Sequence, residues 1–207
     1  MEPTADDDAA AVVAAAAAET QAPPSESISF DRLTRTDHRK ADQFRQFHCE
    51  QGILKQADGS ARFKHGHTSV LTAVFGPMAC TRTSQERIDG PFVEVVFNSA
   101  VDDDSQKNKE CSEVLRRTFE PVLLRSLHPR TLLRIVVQVI KDDGAVLAVA
   151  TNSVCMALLD AGYPMKSFVV GVSCLLAPKS TTVDPTRLEE QAGGVRACFL
   201  YLGIRTW

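Results

Sequence analysis

A helix with no face to give to water obliges the rest of a chain to be built around it. Residues 145–161 read as such a helix: they are rich in alanine and apolar on most sides, they open after the turn Asp142-Asp143-Gly144, and Gly162 ends them. Immediately before, residues 132–140 alternate, with Leu133, Ile135, Val137 and Val139 on one face and Arg134 and Gln138 on the other, the period of a half-buried strand. A strand that feeds a central buried helix through a tight turn is the expected heart of the fold.

Strands are also expected at 52–55 and 61–75, joined at Ala57-Asp58-Gly59-Ser60, because Asp-Gly between extended runs is a strong hairpin signal. Gly76-Pro77 should end the second of them. Residues 81–90, with Arg82 and Arg87, read as loop, and 92–97 as another apolar strand. Residues 105–127 read as an amphipathic helix, since Cys111, Val114, Leu115, Thr118, Phe119 and Val122 recur at three- and four-residue spacing. Pro121 objects to that helix, because an interior proline removes a backbone donor. Strands at 168–176 and 195–202 follow, with 178–194 as a loop between them.

Size and charge narrow the function classes. With 207 residues, 44% of them hydrophobic, the chain can bury one sizeable core. Its 23 basic and 26 acidic side chains give a net charge of -3, so any nucleic-acid contact needs a local basic patch. No apolar run approaches the ~20 residues that cross a bilayer, so no membrane association is expected. Residues 9–18 are alanine-rich around Val12 and Val13 but follow Glu2, Asp6, Asp7 and Asp8, which is not the basic start of a secretory signal. We expect 1–27 to be a disordered acidic and alanine-rich tail, with Ala22-Pro23-Pro24-Ser25 as a boundary, and 28–207 to form the domain. The six cysteines include no Cys-x-x-Cys pair, which excludes zinc-ribbon and redox-motif spacing, and Cys155 and Cys174 are expected as small core residues.

From Arg39 to Tyr201 the chain resembles the RNase PH-like proteins. His38-Arg39-Lys40-Ala41-Asp42-Gln43-Phe44-Arg45 is similar to the family's opening R-x-A-D-x-x-R, and Gly66-His67-Thr68-Ser69-Val70 to its G-x-T-x-V strand. Gly52 followed by Ala57-Asp58-Gly59-Ser60-Ala61 is similar to its first hairpin. Glu120-Pro121-Val122 and Pro129-Arg130-Thr131 resemble segments of exosome ring subunits, which gives Pro121 a place. Val139 to Gly144, Asn152, Met156-Ala157-Leu158 and Asp160-Ala161-Gly162 cover the strand, turn and central helix. The resemblance implies an α+β fold, mixed sheets packed with helices, and a subunit of the eukaryotic exosome ring. It further implies other RNase PH-like ring subunits, S1/KH-type cap subunits and RNA as partners, in nucleus, nucleolus and cytoplasm. An isolated chain with unpartnered strand edges should form a homodimer.

Phosphorolysis needs phosphate held by a cationic clamp and backbone donors, with a carboxylate at the scissile linkage. By the resemblance, Leu147 stands where the phosphate-holding arginine would be, Val146 where a threonine would be, and Arg196 where the catalytic aspartate would be. Asp184 reaches the carboxylate role only by a shift of register. The expectation is a non-catalytic, structural and RNA-contacting subunit that supports 3′-to-5′ RNA processing. Arg82, Arg87, Lys107 and Lys109 are the expected RNA contacts, Lys107 matching a basic pair of active relatives and Gln106 not. Arg116 and Arg117, with acidic neighbours one turn away, read as solvated helix charges.

The alternative is a metal-dependent hydrolytic nuclease acting on RNA or DNA as a homodimer outside the ring. Magnesium would then be held by carboxylates from Asp102-Asp103-Asp104, Asp142-Asp143 and Asp160, with Asp160 as the catalytic candidate of that alternative. Without that reading no cofactor is expected. His65 and His67 are expected as outward polar side chains, since no third ligand follows them at metal spacing.

Overall fold

The computed structural model describes residues 35, 37–80, 86–88, 90–99, 104–177, 180–191 and 195–205, all within the unit Thr34–Trp207. The expected tail and Arg82 lie outside the described residues. In order the chain forms β1 (Phe47–Gln51), β2 (Gly59–His65), β3 (Thr68–Ala79), β4 (Phe92–Ser99), α1 (Ser105–Phe119), a 3-10 turn (Arg125–Leu127), β5 (Thr131–Lys141), α2 (Val146–Asp160), β6 (Ser167–Ala177), β7 (Ser180–Val183), α3 (Arg187–Gln191) and β8 (Val195–Arg205). Five strands make one mixed sheet in the order β1-β2-β3-β5-β4, antiparallel except where β4 runs parallel to β5. The antiparallel order β7-β6-β8 makes a second sheet.

Helix α2 lies between the two sheets, in contact with β2 and β3 on one side and β6 on the other. Its alanines meet glycines there. A Cβ on Gly59 would stand 2.4 Å from Ala157 O, and one on Gly171 would stand 3.0 Å from Ala148 O, so both sheets approach the helix backbone more closely than side chains allow. The few polar groups in this layer are satisfied locally. Asn152 Oδ1 accepts the Gly171 N–H at 2.8 Å while its Nδ2 donates to Gly171 O at 3.0 Å, and Thr72 Oγ1 donates to Ser153 Oγ at 2.8 Å. On β5, Leu133, Ile135, Val137 and Val139 are buried as their alternation predicts, and Arg134 is exposed. Leu115 and Phe119 of α1 complete the same core.

Five expectations change. The 61–75 run is two strands, because Gly66 takes φ 59 and, with His67, makes the reversal between β2 and β3. Residues 52–55 are not a strand; the strand lies earlier, at Phe47–Gln51, and Asp58 braces β3 by accepting the Gly76 N–H at 2.8 Å. β3 also does not stop at Gly76-Pro77. It continues to Ala79 across an irregularity between Phe75 and Met78, where a proline costs no ladder bond. Helix α1 ends at Phe119 with Glu120 as its cap, so Pro121 breaks the 105–127 helix. Within 178–194 the chain forms β7 and α3, the latter opened by a reciprocal cap: Thr186 N–H to Glu189 Oε2 at 2.8 Å and Glu189 N–H to Thr186 Oγ1 at 3.4 Å.

Candidate functional site

The buried helix dictates where a site can form, because its amino end emerges between the sheets. A cleft of about 340 Å³ opens there, with Lys107 and Asn108 at its rim, Asp142 and Glu190 on its walls, and Ala145, Val146, Leu147 and Ala148 as its floor. Ala145 adopts φ 56 and offers no side-chain cap. Glu190 supplies the missing cap from α3: its Oε1 accepts the Ala145 N–H at 2.9 Å. Asp142 Oδ1 likewise accepts the Gly144 N–H at 2.9 Å and Oδ2 lies 3.9 Å from Arg187 Nη1. Val146, Leu147 and Ala148 carry no polar side-chain atom, and Val146 and Leu147 pack against the core. The floor of the cleft therefore meets an anion with backbone donors alone, Lys107 standing at the rim, and a carboxylate already holds the entry donor.

A third carboxylate, outside the cleft lining, is locked. Asp184, 1% exposed and at φ 55, accepts from Arg45 Nε at 2.9 Å, Arg45 Nη2 at 2.7 Å and the Arg45 N–H at 2.9 Å, and from Arg39 Nη1 at 3.2 Å. Burial works to raise its carboxyl, but the Arg45 bonds outweigh it and hold the group below the usual carboxylate range. Gly144 fits against this segment because a Cβ would stand 2.7 Å from Pro185 O. His65 does not face outward as expected. Its Nε2 lies 3.3 Å from Asp184 Oδ2, and burial pushes the imidazole below its ordinary value despite that carboxylate. His67 is exposed, as expected. Asp184 thus fixes Arg39 and Arg45, the expected opening motif, against the end of β7.

The other predicted residues fall in separate places. Lys107 is exposed at the cleft rim, 3.9 Å from Asp104, which also caps α1 by accepting the Gln106 N–H at 3.0 Å. Lys109 lines a neighbouring groove between α1 and β4. Arg87 lies at the far end of α1, ion-paired with Glu120 and 5.6 Å over the Phe92 ring. Arg116 and Arg117 both bond Glu113, as their spacing predicts, and pull its carboxyl down to about 2. Asp160 ends the opposite end of α2, where Oδ2 accepts the Ser60 N–H at 2.9 Å. It stands ~20 Å along the helix from Asp142 and Glu190. Among the described residues no three His, Cys, Asp or Glu side chains are arranged to hold a metal. Sequence reasoning missed Glu190. The signal was the Thr186-x-x-Glu189 capping box, which fixes a short helix there.

The 3′ exoribonuclease family, domain 1 (RNase PH), matches residues 43–164. The chain is 36% identical over 160 residues to "Exosome complex exonuclease RRP46 homolog" of Arabidopsis thaliana, covering 77% of this chain and 66% of that protein, so it spans slightly less than two thirds of that relative. It is 35% identical over 175 residues to "Exosome complex component RRP41" of Homo sapiens, covering 79% of this chain and 71% of that one. Its fold is similar to the crystal structure of rice (Oryza sativa) Rrp46, with a TM-score of 0.75, 33% identity, and coverage of 81% and 79% of the two chains. Two sheets around a buried helix and these matches agree: the chain belongs to the 3′ exoribonuclease family and carries its RNase PH domain.

Proposed function

We propose that this chain is a structural, RNA-contacting subunit of an exosome-type ring that supports 3′-to-5′ RNA processing and does not itself catalyse phosphorolysis. The start of α2 carries the reading. Phosphate would meet apolar Val146, Leu147 and Ala148 where a cationic clamp is needed, and Glu190 already occupies the Ala145 N–H. Relatives named as exosome subunits support ring partnership with other RNase PH-like chains. On this reading S1/KH-type caps and RNA complete the assembly, in nucleus, nucleolus and cytoplasm, and a homodimer forms when partners are missing. Arg82, Arg87, Lys107 and Lys109 contact RNA.

The test is a cleavage assay on 5′-labelled single-stranded RNA with the purified chain, in phosphate alone, magnesium alone and EDTA. No cutting in phosphate is the expected result, and release of nucleoside diphosphates in phosphate would overturn it. Magnesium-dependent cutting would support the hydrolytic alternative, whose candidate carboxylates are Asp142 at the cleft, its neighbour Asp143, Asp104 and the remote Asp160, with Asp102 and Asp103 outside the described residues. An Asp160→Asn variant tells whether the carboxylate at the far end of α2 is used.

A further inference from the structure

Four arginines gather around one carboxyl-terminal turn of α1. Glu120 receives Arg116 Nη1 at 2.8 Å, Arg125 Nη2 at 3.7 Å and the Arg87 guanidinium. Arg130 Nε is 3.6 Å from Glu86, and its N–H donates to Arg87 O at 3.1 Å, which pins the Arg87 backbone. Glu113 is shared by Arg116 and Arg117, so Glu120 is divided among Arg116, Arg125 and Arg87, while Glu86, which also lines the pocket, faces Arg130. Arg87 and Arg125 are 48% and 45% exposed, and a pocket of about 530 Å³ opens beside them. That volume falls in the range of small-ligand sites.

The pocket is built from fixed parts. A Cβ on Gly90 would stand 2.7 Å from Arg125 Cβ, so the bare Gly90 backbone is what lets Arg125 sit there. Arg87 lies over the Phe92 ring, 5.6 Å from its centroid, and Ile88, 75% exposed, lines the pocket with apolar surface. A helix carboxyl end repels anions by its dipole, so an anion here must be drawn by the guanidinium groups themselves. Planar guanidinium pairs match phosphate oxygens better than they match a lone carboxylate already shared three ways.

We propose that this pocket seats a phosphodiester of single-stranded RNA between Arg87 and Arg125, with the adjoining nucleoside against Ile88. The proposal rests on the reading that the chain contacts RNA, and it gives that contact a second anchor ~20 Å along α1 from Lys107. Arg116 lines the groove that Lys109 shares and also bonds Glu120, so the intervening surface is continuous.

The experiment measures binding of a fluorescein-labelled twelve-nucleotide adenylate strand by anisotropy over a salt series, using the full chain and its variants. Arg125→Gln and Arg87→Gln should each weaken binding several-fold and take about 0.7 from the slope of log K against log salt. Glu120→Gln should strengthen binding and steepen the slope, an effect that loss of structure would not produce. Wild-type binding that neither arginine variant alters overturns the pocket and leaves the RNA reading intact; a wild-type chain with no salt-dependent binding overturns both. Polyglutamate that displaces the strand, and itself loses binding in the same two variants, would assign the pocket to an acidic protein surface and overturn the RNA assignment.

Discussion

Asp184 is approached from three sides by cations and a histidine, yet is 1% exposed, so its charge depends wholly on Arg45, Arg39 and His65. Neutralising it strips the buried Arg45 guanidinium of its main partner and leaves only the longer Asp143 contact, 3.4 Å from Nη1, and backbone carbonyls. Asp184→Asn should therefore destabilise the domain by about 3–5 kcal/mol, measured by urea unfolding, whereas Asp160→Asn, at an exposed helix end, should cost far less. The pH dependence follows from the same cluster. His65 sits below its ordinary 6.5 when folded, so the unfolded chain binds the extra proton and stability falls as pH drops through that value. Asp184 is depressed below 3.8, so its contribution is complete above that value and is lost as pH falls toward its folded value. Thermal melts should decline between pH 7 and 5, and His65→Gln should flatten that limb without touching the steeper loss in stronger acid.

The helices and strands differ in how openly they announce themselves. β5 was legible because every second residue is buried on one face, and α2 because an alanine-rich apolar run between two turns has one reading. Long-range facts were not legible. Whether Gly59 or Gly66 makes the hairpin depends on what stands opposite: Gly59 lies under α2, a contact no local pattern encodes, and Gly66 alone takes φ 59. The same holds for the site. Leu147 and Val146 could be placed by resemblance, but the Glu190 bond to Ala145 joins residues 45 apart in sequence. His65 turned inward because Asp184, far along the chain, waits beneath it. Gly59→Ala tests the close approach directly. Its new Cβ would meet helix backbone at 2.4 Å, and the variant should lose about 1–3 kcal/mol in denaturant unfolding.

For the whole molecule, charge is spread so that no bulk field dominates: the net is -3, yet Arg87, Arg125, Lys107 and Lys109 gather along α1. Association with RNA should accordingly be strongly salt-dependent, and Lys107→Glu should weaken it with little change in the melting temperature. Light scattering on the isolated chain should give twice 22.6 kDa; a persistent 22.6 kDa species at micromolar concentration would count against self-association. The Glu190 carboxylate also decides what it would take to build a phosphate receptor at the start of α2. Its Oε1 already accepts the Ala145 N–H, so Leu147→Arg alone should create an internal ion pair with Glu190 rather than an open receptor. Inorganic phosphate should raise the melting temperature only of a chain that carries Leu147→Arg together with Glu190→Gln, so each change hides the benefit of the other.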